Sequence, residues 1–278
     1  MKAVACILVH GADAYARAAR IAVDSLLEDS DFDVAVFHGG GQVDGWQPRA
    51  RLHRVAIDCP PAGCHRARRF LLKFAALEAC LKRFAAPWIV QLDADVVLAR
   101  PLKARDLAVA LDGAAIGMVE QTCIRGSTMD RAAFLDHYRN HTLALLAPGC
   151  APPALQEFRY FNSGVVIAPR ATWEVLVPWA VGTLGTHRGE YQVGEHMISD
   201  QDFFQYWSNQ LHPGACRALP WYWNHCEHWD ADFPRRGAVF AHFSNFCDGP
   251  SNTTVKRMRR LRRPWTRLLN RCTSPSSS

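Results

Sequence analysis

The sequence predicts an α/β fold in which a mainly parallel sheet is flanked by helices. Short runs rich in β-branched residues recur along the chain, and helical patterns separate them. Continuously apolar short runs are typical of parallel strands that are buried on both faces, and their alternation with helices indicates βαβ units. With 278 residues, 49% hydrophobic and 21% charged, the chain can form one large α/β domain or two small ones with a substantial core.

The order of the elements follows from these patterns. Predicted strands cover residues 4–9, 33–38, 52–57, 88–92, 114–119, 165–168 and 238–243. Predicted helices cover 15–27, 66–84, 129–146, 171–184 and 200–209, the last with Ser199 as its N-cap. The pattern is weakest over 120–160, which we interpret as an insertion or a variable region.

Two carboxylates interrupt the apolar run WIVQLDADVVLARP, which starts at Trp88. Asp93 and Asp95 follow a buried strand directly, where a carboxylate is costly unless it is paired or bound to metal. Ligands of open α/β sheets bind beyond the carboxyl ends of the strands. The pair therefore predicts half of a site for Mg²⁺ or Mn²⁺, although Asp-x-Asp is also common in ordinary loops.

Composition excludes several classes of protein. The N-terminal apolar run is too short for a secretory signal, and no stretch approaches the ~20 apolar residues of a membrane span. We therefore expect a cytoplasmic protein. The ten cysteines are scattered without a C-x-x-C pair, so we expect free thiols, and a metal site at Cys226 with His225 and His228 is a weak alternative.

The net positive charge of the chain arises from its C-terminal tail, residues 255–278. This tail holds eight of the 32 basic residues and no acid, so that the rest of the chain carries a net charge of −2. Apolar residues recur in it at three- and four-residue spacing, and Pro264 predicts a division into two short helices. Such a tail fits an anionic membrane surface, or else packs on residues 1–254; no motif supports binding of nucleic acid.

Four stretches, in their order along the chain, resemble the family 8 glycosyltransferases. These stretches are DAYARAARIAVDSL, QLDADVVL, FNSGVVIA, and SDQDFFQYW with a later AHF, and the resemblance covers about residues 4–243. The family consists of retaining enzymes such as glycogenin and the bacterial lipopolysaccharide galactosyl- and glucosyltransferases. The resemblance implies a GT-A fold, a nucleotide-sugar donor that is usually a UDP-sugar, and a divalent cation that is usually Mn²⁺.

The resemblance also implies roles for single residues. Asp93, Asp95 and His242 match the metal ligands, although a histidine in VFAHF is equally compatible with a buried core position. Asp200 and Gln201 match the Asp-Gln pair near the reacting sugar, where Asp200 would bind hydroxyls and Gln201 would lie near the anomeric carbon.

The remaining matches concern the donor. Tyr15 matches an aromatic residue that lies against the uracil ring, and Val9, His10 and Gly11 match the adjacent backbone. Lys73 matches a lysine that contacts the donor sugar or the diphosphate, and Arg66 or Arg69 would help to neutralise phosphate. Asn162 and Ser163 match groups that recognise sugar hydroxyls, and Gly164 permits close approach of backbone.

The sequence departs from the family after His242. The family has a glycine and a Lys-Pro-Trp segment there, whose lysine contacts phosphate, whereas this chain reads FSNFCDGPSNTTVKRM. This departure favours one alternative function, a catalytically silent nucleotide-sugar-binding protein. A self-glycosylating initiator of the glycogenin kind is another alternative. A nucleotidyltransferase is a poor alternative, since no glycine-rich phosphate loop with a following lysine is present.

Overall fold

The computed structural model describes residues 2–39, 43–58, 66–121, 130–186, 192–193, 196–227, 233, 236–244 and 250–272; within these ranges the side chains of 66–70, 185–186, 192–193, 196–197 and 263–272 lie outside the description. The strands are β1 (Ala3–Val9), β2 (Asp33–His38), β3 (Leu52–Ala56), β4 (Trp88–Leu92), β5 (Val96–Leu98), β6 (Ile116–Glu120), β7 (Phe161–Pro169), β8 (Gln192–Val193), β9 (His196–Met197), β10 (Cys216–Leu219), β11 (His225–Cys226) and β12 (Phe240–His242). The helices are α1 (Asp13–Asp29), α2 (Arg66–Arg83), α3 (Ala104–Leu111), α4 (Arg131–His137), α5 (Ala144–Leu146), α6 (Arg170–Thr186), α7 (Asp200–Tyr206) and α8 (Asn252–Cys272). Two π-helical segments, Tyr138–Leu143 and Trp207–Leu211, continue α4 and α7, and a 3₁₀ turn covers Trp221–Trp223.

Seven strands in the described part of the chain form the main sheet, in the order β10-β6-β7-β4-β1-β2-β3. All neighbouring pairs are parallel except those of β7, which is antiparallel to both β4 and β6. The predicted fold class, α/β with a mainly parallel sheet, is thereby confirmed.

The reversed strand β7 brings its beginning to the edge where its neighbours end. β1 ends two residues beyond the end of β4, because Ile7 lies opposite Leu92 and β1 continues to Val9. Leu92 in turn lies opposite Val165, so that the first residues of β7 extend past the end of β4. The polar start of β7 and the carboxylates after β4 therefore share one edge of the sheet.

Helices cover both faces of the sheet through apolar stripes. On one face lie α1 and α3, whose Ala22, Leu26 and Leu107 join the core. On the other face lie α2, α6 and α7, which contribute Phe74 and Trp173 among others. The apolar residues of these helices recur at the helical period and so form a stripe along one side of each helix. This stripe is buried against the sheet.

A second sheet, with the order β11-β12-β5 in the described residues, packs beside α1 and α8. β12 is antiparallel to β5, and His242 lies opposite Val96. The apolar residues after Asp95 thus form β5, which lies outside the main sheet and pairs with β12.

The structure corrects one predicted element and adds others. The predicted division of the tail at Pro264 is wrong, because α8 is one helix over Asn252–Cys272. A proline removes a single backbone donor, and the helix continues past this loss. α3, β10 and β11 were not predicted, since each is short and carries no distinctive period. No described helix combines the length and the apolar character that a membrane span requires.

Candidate functional site

Three side chains with metal-binding atoms meet at the carboxyl edge of the main sheet. One oxygen each from Asp93 and Asp95 and one ring nitrogen of His242 all lie within 4.8 Å of one another. His242 Nε2 is 3.6 Å from Asp93 Oδ2 and 3.5 Å from Asp95 Oδ1. Neighbouring ligands of an octahedral ion with bonds of about 2.1 Å lie about 3.0 Å apart, so these donors fit a divalent cation after a small contraction.

Backbone pairing fixes all three side chains. Asp93 donates its N–H to Gly164 O at 2.9 Å, and Val96 N–H closes a turn onto Asp93 O at 3.2 Å. Phe243 donates its N–H to Asp95 O at 3.0 Å, which holds the end of β12 against this turn. The three predicted ligands are therefore brought together by main-chain contacts around a single turn.

Lys73 on α2 lies between two carboxylates. Its Nζ is 2.6 Å from Asp93 Oδ1 and 2.7 Å from Asp200 Oδ2, and its side chain is 12% exposed. Ion pairs in such a partly buried place are worth more than surface pairs, and removal of one partner leaves an uncompensated charge. Lys73 therefore links α2, β4 and α7 electrostatically.

Opposed effects set the protonation of this group. Burial alone would lower the pKa of Lys73, but the charges of Asp200 and Asp93 outweigh burial and raise it. Burial would raise the pKa of Asp93, yet Lys73 and His242 bring it below its ordinary value. Burial raises the pKa of Asp200, and Lys73 offsets this only in part, because the nearby charge of Asp93 acts in the same direction as burial. Asp93 is therefore the better anion of the two.

The ring of His242 is buried among acidic groups. Burial alone would lower its pKa, but Cys226 and a hydrogen bond to Asp95 raise the pKa well above the ordinary value. The imidazolium and Lys73 together balance the surrounding carboxylates. A bound dication would take over this neutralising role from the imidazolium proton.

The start of β7 carries the predicted residues Asn162, Ser163 and Gly164, all of which are buried. Asn162 Oδ1 accepts the N–H of Gly164 at 2.9 Å and an amide hydrogen of Asn224 at 2.7 Å. Both lone pairs of this oxygen are thereby used, so Asn162 can donate to a ligand through its Nδ2 group. A Cβ on Gly164 would lie 2.2 Å from His242 Cε1, which shows that the ring occupies the space a side chain would need.

The N-terminus of α7 presents Asp200 and Gln201 to the same edge. Ser199 precedes the helix as predicted, and its N–H donates to the carboxylate of Asp202 at 2.8 Å. Thr142 Oγ1 donates to the other oxygen of Asp202 at 2.5 Å. These bonds fix the first turn of α7, which places Asp200 against Lys73.

Three side-chain amides attach α7 and its π-helical extension to the start of β7, and we call Gln201, Gln205 and Asn209 the amide ladder. Gln201 Oε1 accepts the N–H of Ser163 at 3.3 Å. Gln205 accepts the N–H of Phe161 at 3.0 Å and donates to its carbonyl at 2.5 Å. Asn209 repeats this pattern on Arg159, at 3.1 and 2.9 Å.

The spacing of the amide ladder follows from the geometry of its two elements. Four helical residues advance about 6 Å and two strand residues about 6.6 Å, so amides at i, i+4 and i+8 meet alternate strand residues. The carbonyl oxygen of Tyr160 accepts the N–H of Gln121 on the side that faces β6. Because backbone groups alternate in direction along a strand, the N–H and C=O groups of Arg159 and Phe161 point to the opposite side. The amide ladder thus replaces β4 as the partner of β7 beyond the end of β4.

The predicted residues for the base of the donor lie at the end of β1 and in the first turn of α1. Val9 is the last residue of β1 and is buried, whereas His10, Gly11 and Tyr15 are half-buried. Gly11 has φ +109°, and a Cβ there would be 3.5 Å from the Tyr15 ring. Glycine is favoured in this conformation, and it lets the chain turn from β1 into α1 beside the aromatic ring.

Several predicted contributors lie outside the description. The side chain of Arg69 is among them, although its backbone is in the first turns of α2. His228 and the residues 245–249, which replace the segment of the family after His242, are outside it as well. The alternative metal site at His225, Cys226 and His228 is therefore untested, and Cys226 lies beside His242 with its Sγ 3.2 Å from Ser244 Oγ.

Sequence reasoning missed two parts of the site. Asn224, which contacts both His242 and Asn162, was not predicted to belong to the site. The amide ladder was also missed, although the i, i+4, i+8 spacing of its three amides is visible in the sequence. A buried face of amides on a helix is the signal that could have revealed it.

Gly164→Ala tests the contact between β7 and the histidine. The added methyl group would lie 2.2 Å from His242 Cε1 and 2.4 Å from Nδ1, so the ring must move. We expect the free energy of unfolding to fall by about 1–3 kcal/mol, as is typical of overpacking. In Gly182→Ala on α6, where a Cβ meets nothing within 4 Å, it should instead rise by about 0.5–1 kcal/mol. Urea denaturation measures both, and equal stability of the two variants would contradict the packing argument.

Gln205→Leu tests the amide ladder. The leucine leaves the N–H and the carbonyl of Phe161 buried without their partner, at a cost of about 2–4 kcal/mol for the two groups. Gln210→Leu on the same helical segment is the matched control, since its contact to Ala151 O is exposed and should cost less than about 1 kcal/mol. Urea denaturation of both variants decides, and a loss no larger in Gln205→Leu would refute the ladder.

No protein-family model matches the sequence, and no curated protein matches it. Solved structures do match it in fold. The galactosyltransferase LgtC, in complex with donor and acceptor sugar analogues, superposes with a TM-score of 0.55 at 15% identity, over 94% of this chain and 95% of LgtC. Mouse xyloside xylosyltransferase 1 superposes with a TM-score of 0.52 at 16% identity, over 90% and 99% of the two chains.

The bifunctional glycosyltransferase WbbM matches with a TM-score of 0.55 at 15% identity, over 88% of this chain and 46% of its own length. All of these structural neighbours are glycosyltransferases. The chain has the GT-A fold of glycosyltransferases.

Proposed function

We propose that the protein is a metal-dependent retaining glycosyltransferase of the family 8 type. It would transfer a hexose from a nucleotide-sugar donor, a UDP-sugar, to a glycan or a lipid-linked acceptor. The observation that carries this proposal is the meeting of Asp93, Asp95 and His242 beside the Lys73–Asp200 pair, at the carboxyl edge of the sheet. Burying such a group is unfavourable for stability alone, and perturbed ionisable groups cluster at functional sites.

The donor atoms suit Mn²⁺ or Mg²⁺. Carboxylate oxygens are preferred by both ions, and an imidazole nitrogen favours Mn²⁺ over Mg²⁺. Asp95 and His242 are the direct ligands in this proposal, and Asp93 divides its carboxylate between the ion, Lys73 and the ribose. When bound, the ion stabilises the charge that develops on the leaving diphosphate.

The remaining site residues hold the donor. Tyr15 lies against the base, with the backbone of Val9, His10 and Gly11 beside it. Arg69, at the start of α2, contributes charge toward the diphosphate. The start of β7 faces the sugar, where Asn162 donates from Nδ2 and Ser163 offers its hydroxyl.

Asp200 and Gln201 have different roles near the reacting carbon. Lys73 Nζ forms an ion pair with the carboxylate of Asp200 at 2.7 Å. This ion pair favours a role for Asp200 in binding sugar hydroxyls over a role as the nucleophile that attacks the sugar. Gln201, fixed by Ser163 N–H, lies near the anomeric carbon and is a weak nucleophile. Retention therefore proceeds by front-face substitution, in which the leaving phosphate accepts the proton of the incoming hydroxyl.

The acceptor region, residues 120–160, borders a cavity of about 500 Å³. Its lining mixes carboxylate, amide, guanidinium and aromatic groups: Glu120, Gln121, Asp130, Arg131, Phe134, Leu155, Gln156 and Tyr160. Tyr160 directly precedes the start of β7, so this cavity adjoins the donor side of the site. Polar groups that converge beside aromatic rings suit recognition of sugar hydroxyls, and we assign the acceptor to this cavity.

The tail is proposed to bind an anionic membrane surface while it packs on the domain. Val255 and Met258 of α8 are buried against α1, and Arg262 pairs with Glu28 and Asp29. The opposite face of α8 exposes Lys256, Arg259 and Arg260. A basic face of this kind gains about 1 kcal/mol per residue at an anionic surface, which would bring the enzyme to a lipid-linked acceptor.

The metal and the donor are tested together on Asp95→Asn. In wild-type protein, a nucleotide sugar at a hundredfold excess over Kd should raise the free energy of unfolding by about 2.7 kcal/mol when Mn²⁺ is present. Asp95→Asn removes a ligand charge and should lose this shift, whereas Asp136→Asn, at an exposed site, should keep it. A thermal-shift panel of nucleotide sugars with and without Mn²⁺ measures the effect.

The same samples separate the alternatives. Release of free nucleotide shows turnover of the donor, and intact-protein mass spectra show whether the chain adds hexoses to itself. Folded wild-type protein that gives no Mn²⁺-dependent shift with any nucleotide sugar would rule out the proposed function.

Membrane binding is tested on the full chain with Lys256, Arg259 and Arg260 changed together to glutamine. Loss of three basic residues at about 1 kcal/mol each should weaken partitioning onto phosphatidylglycerol-containing vesicles about 100-fold. The control changes Lys82, Lys103 and Arg105, which are also exposed, to glutamine and should partition like wild type. Vesicle sedimentation measures both, and equal partitioning of the two triple variants would reject docking through this face.

A further inference from the structure

Asn224 is fully buried between the metal-binding histidine and the start of β7. It follows the 3₁₀ turn Trp221–Trp223, and its own N–H closes onto Trp221 O at 3.2 Å. Its side chain is 0% exposed. β11, which starts at the next residue, runs beside β12 and sets Cys226 opposite His242. A buried primary amide in this place must satisfy its donors and acceptor within the protein.

The hydrogen bonds of the neighbours fix which way this amide faces. Gly164 N–H can only donate, so the atom of Asn162 that faces it at 2.9 Å is the acceptor Oδ1. The same Oδ1 is 2.7 Å from Asn224, so Asn224 presents its Nδ2 group there. Its Oδ1 then faces His242 Nδ1 at 3.2 Å, and that ring nitrogen must carry a hydrogen.

We propose that Asn224 is a positioning residue that keeps the proton of His242 on Nδ1 and thereby presents the lone pair of Nε2 to the divalent cation. Nε2 is the ring nitrogen that lies 3.6 Å from Asp93 and 3.5 Å from Asp95. An acceptor behind a metal-binding imidazole fixes both the ring and its tautomer, and its loss weakens metal binding about 10–100-fold. This inference rests on the proposed metal centre.

The same amide couples the metal side of the site to the donor side. Asn162 belongs to the stretch proposed to face the sugar, and its Oδ1 is held by Asn224 and Gly164 together. Gly164 also leaves room for the His242 ring. Asn224 therefore orients the proposed metal ligand His242 through its Oδ1 and the proposed sugar-facing residue Asn162 through its Nδ2.

Two substitutions separate this role from packing. Asn224→Leu removes the acceptor behind His242 and should raise the Kd for Mn²⁺ alone about 10–100-fold. Asn224→Asp keeps an acceptor toward Nδ1 but places oxygen against Asn162 Oδ1, so it should destabilise the fold while its Mn²⁺ Kd stays within threefold of wild type or becomes tighter. A purely structural role would make unfolding midpoint and Mn²⁺ affinity fall together in both variants.

Mn²⁺ titration followed by EPR measures the Kd of the full chain, and pulsed EPR detects the ¹⁴N coupling of the bound imidazole. The coupling should be present in wild type and absent in His242→Ala. Thr172→Val loses one buried hydrogen bond, to Ala115 O at 2.7 Å, and should keep the wild-type Kd despite a lower unfolding midpoint.

Two results would overturn the inference in different ways. Unchanged Mn²⁺ affinity in Asn224→Leu, with wild-type ¹⁴N coupling, rejects the role of Asn224 and leaves the proposed metal centre intact. Absence of Mn²⁺ binding in folded wild-type protein rejects the metal centre, and the role of Asn224 with it.

Discussion

The ion pairs of Lys73 with Asp93 and Asp200 are the constraint on which the rest of the site depends. Three carboxylates lie at one edge of the sheet, where water is largely excluded, and they cannot all stay ionised without nearby positive charge. Lys73 supplies this charge from α2. The lysine is held in turn by both acids, which raise its pKa against the effect of burial. The three elements that carry these residues are thereby fixed relative to one another before any ligand binds.

The antiparallel strand β7 is what allows so many polar groups to converge. In an all-parallel sheet only strand ends would reach the carboxyl edge, and each would supply one or two side chains. The antiparallel strand β7 begins at that edge. Its first residues extend beyond the end of β4 and therefore do not pair with β4. The amide ladder of α7 pairs with the backbone in place of β4, which satisfies the exposed N–H and C=O groups and also brings the N-terminus of α7 to Lys73.

Local pattern predicted the main strands and helices closely, because a buried strand or an amphipathic helix is encoded within about ten residues. β2 was predicted to the residue, and the helix before Asp93 to within one. The grouping of Asp93, Asp95 and His242 was predicted from family resemblance, since no spacing rule joins residues almost 150 positions apart. The resemblance could not predict Asn224 or the amide ladder. These side chains bond to partners 18 to 62 positions away, and their residue types alone do not distinguish a buried amide from a surface one.

The network from Gly164 through Asn162 and Asn224 to His242 explains why a glycine and two asparagines accompany the metal group. Each oxygen and nitrogen in it has a defined direction, because the chain starts at a backbone N–H that can only donate. An aspartate at 224 would break this order, because it would place an acceptor oxygen against Asn162 Oδ1. The network therefore holds the histidine without adding negative charge to a place that already has three carboxylates. In the proposed metal site, Asp93 and Asp95 thus stay the anionic groups that would bind a dication.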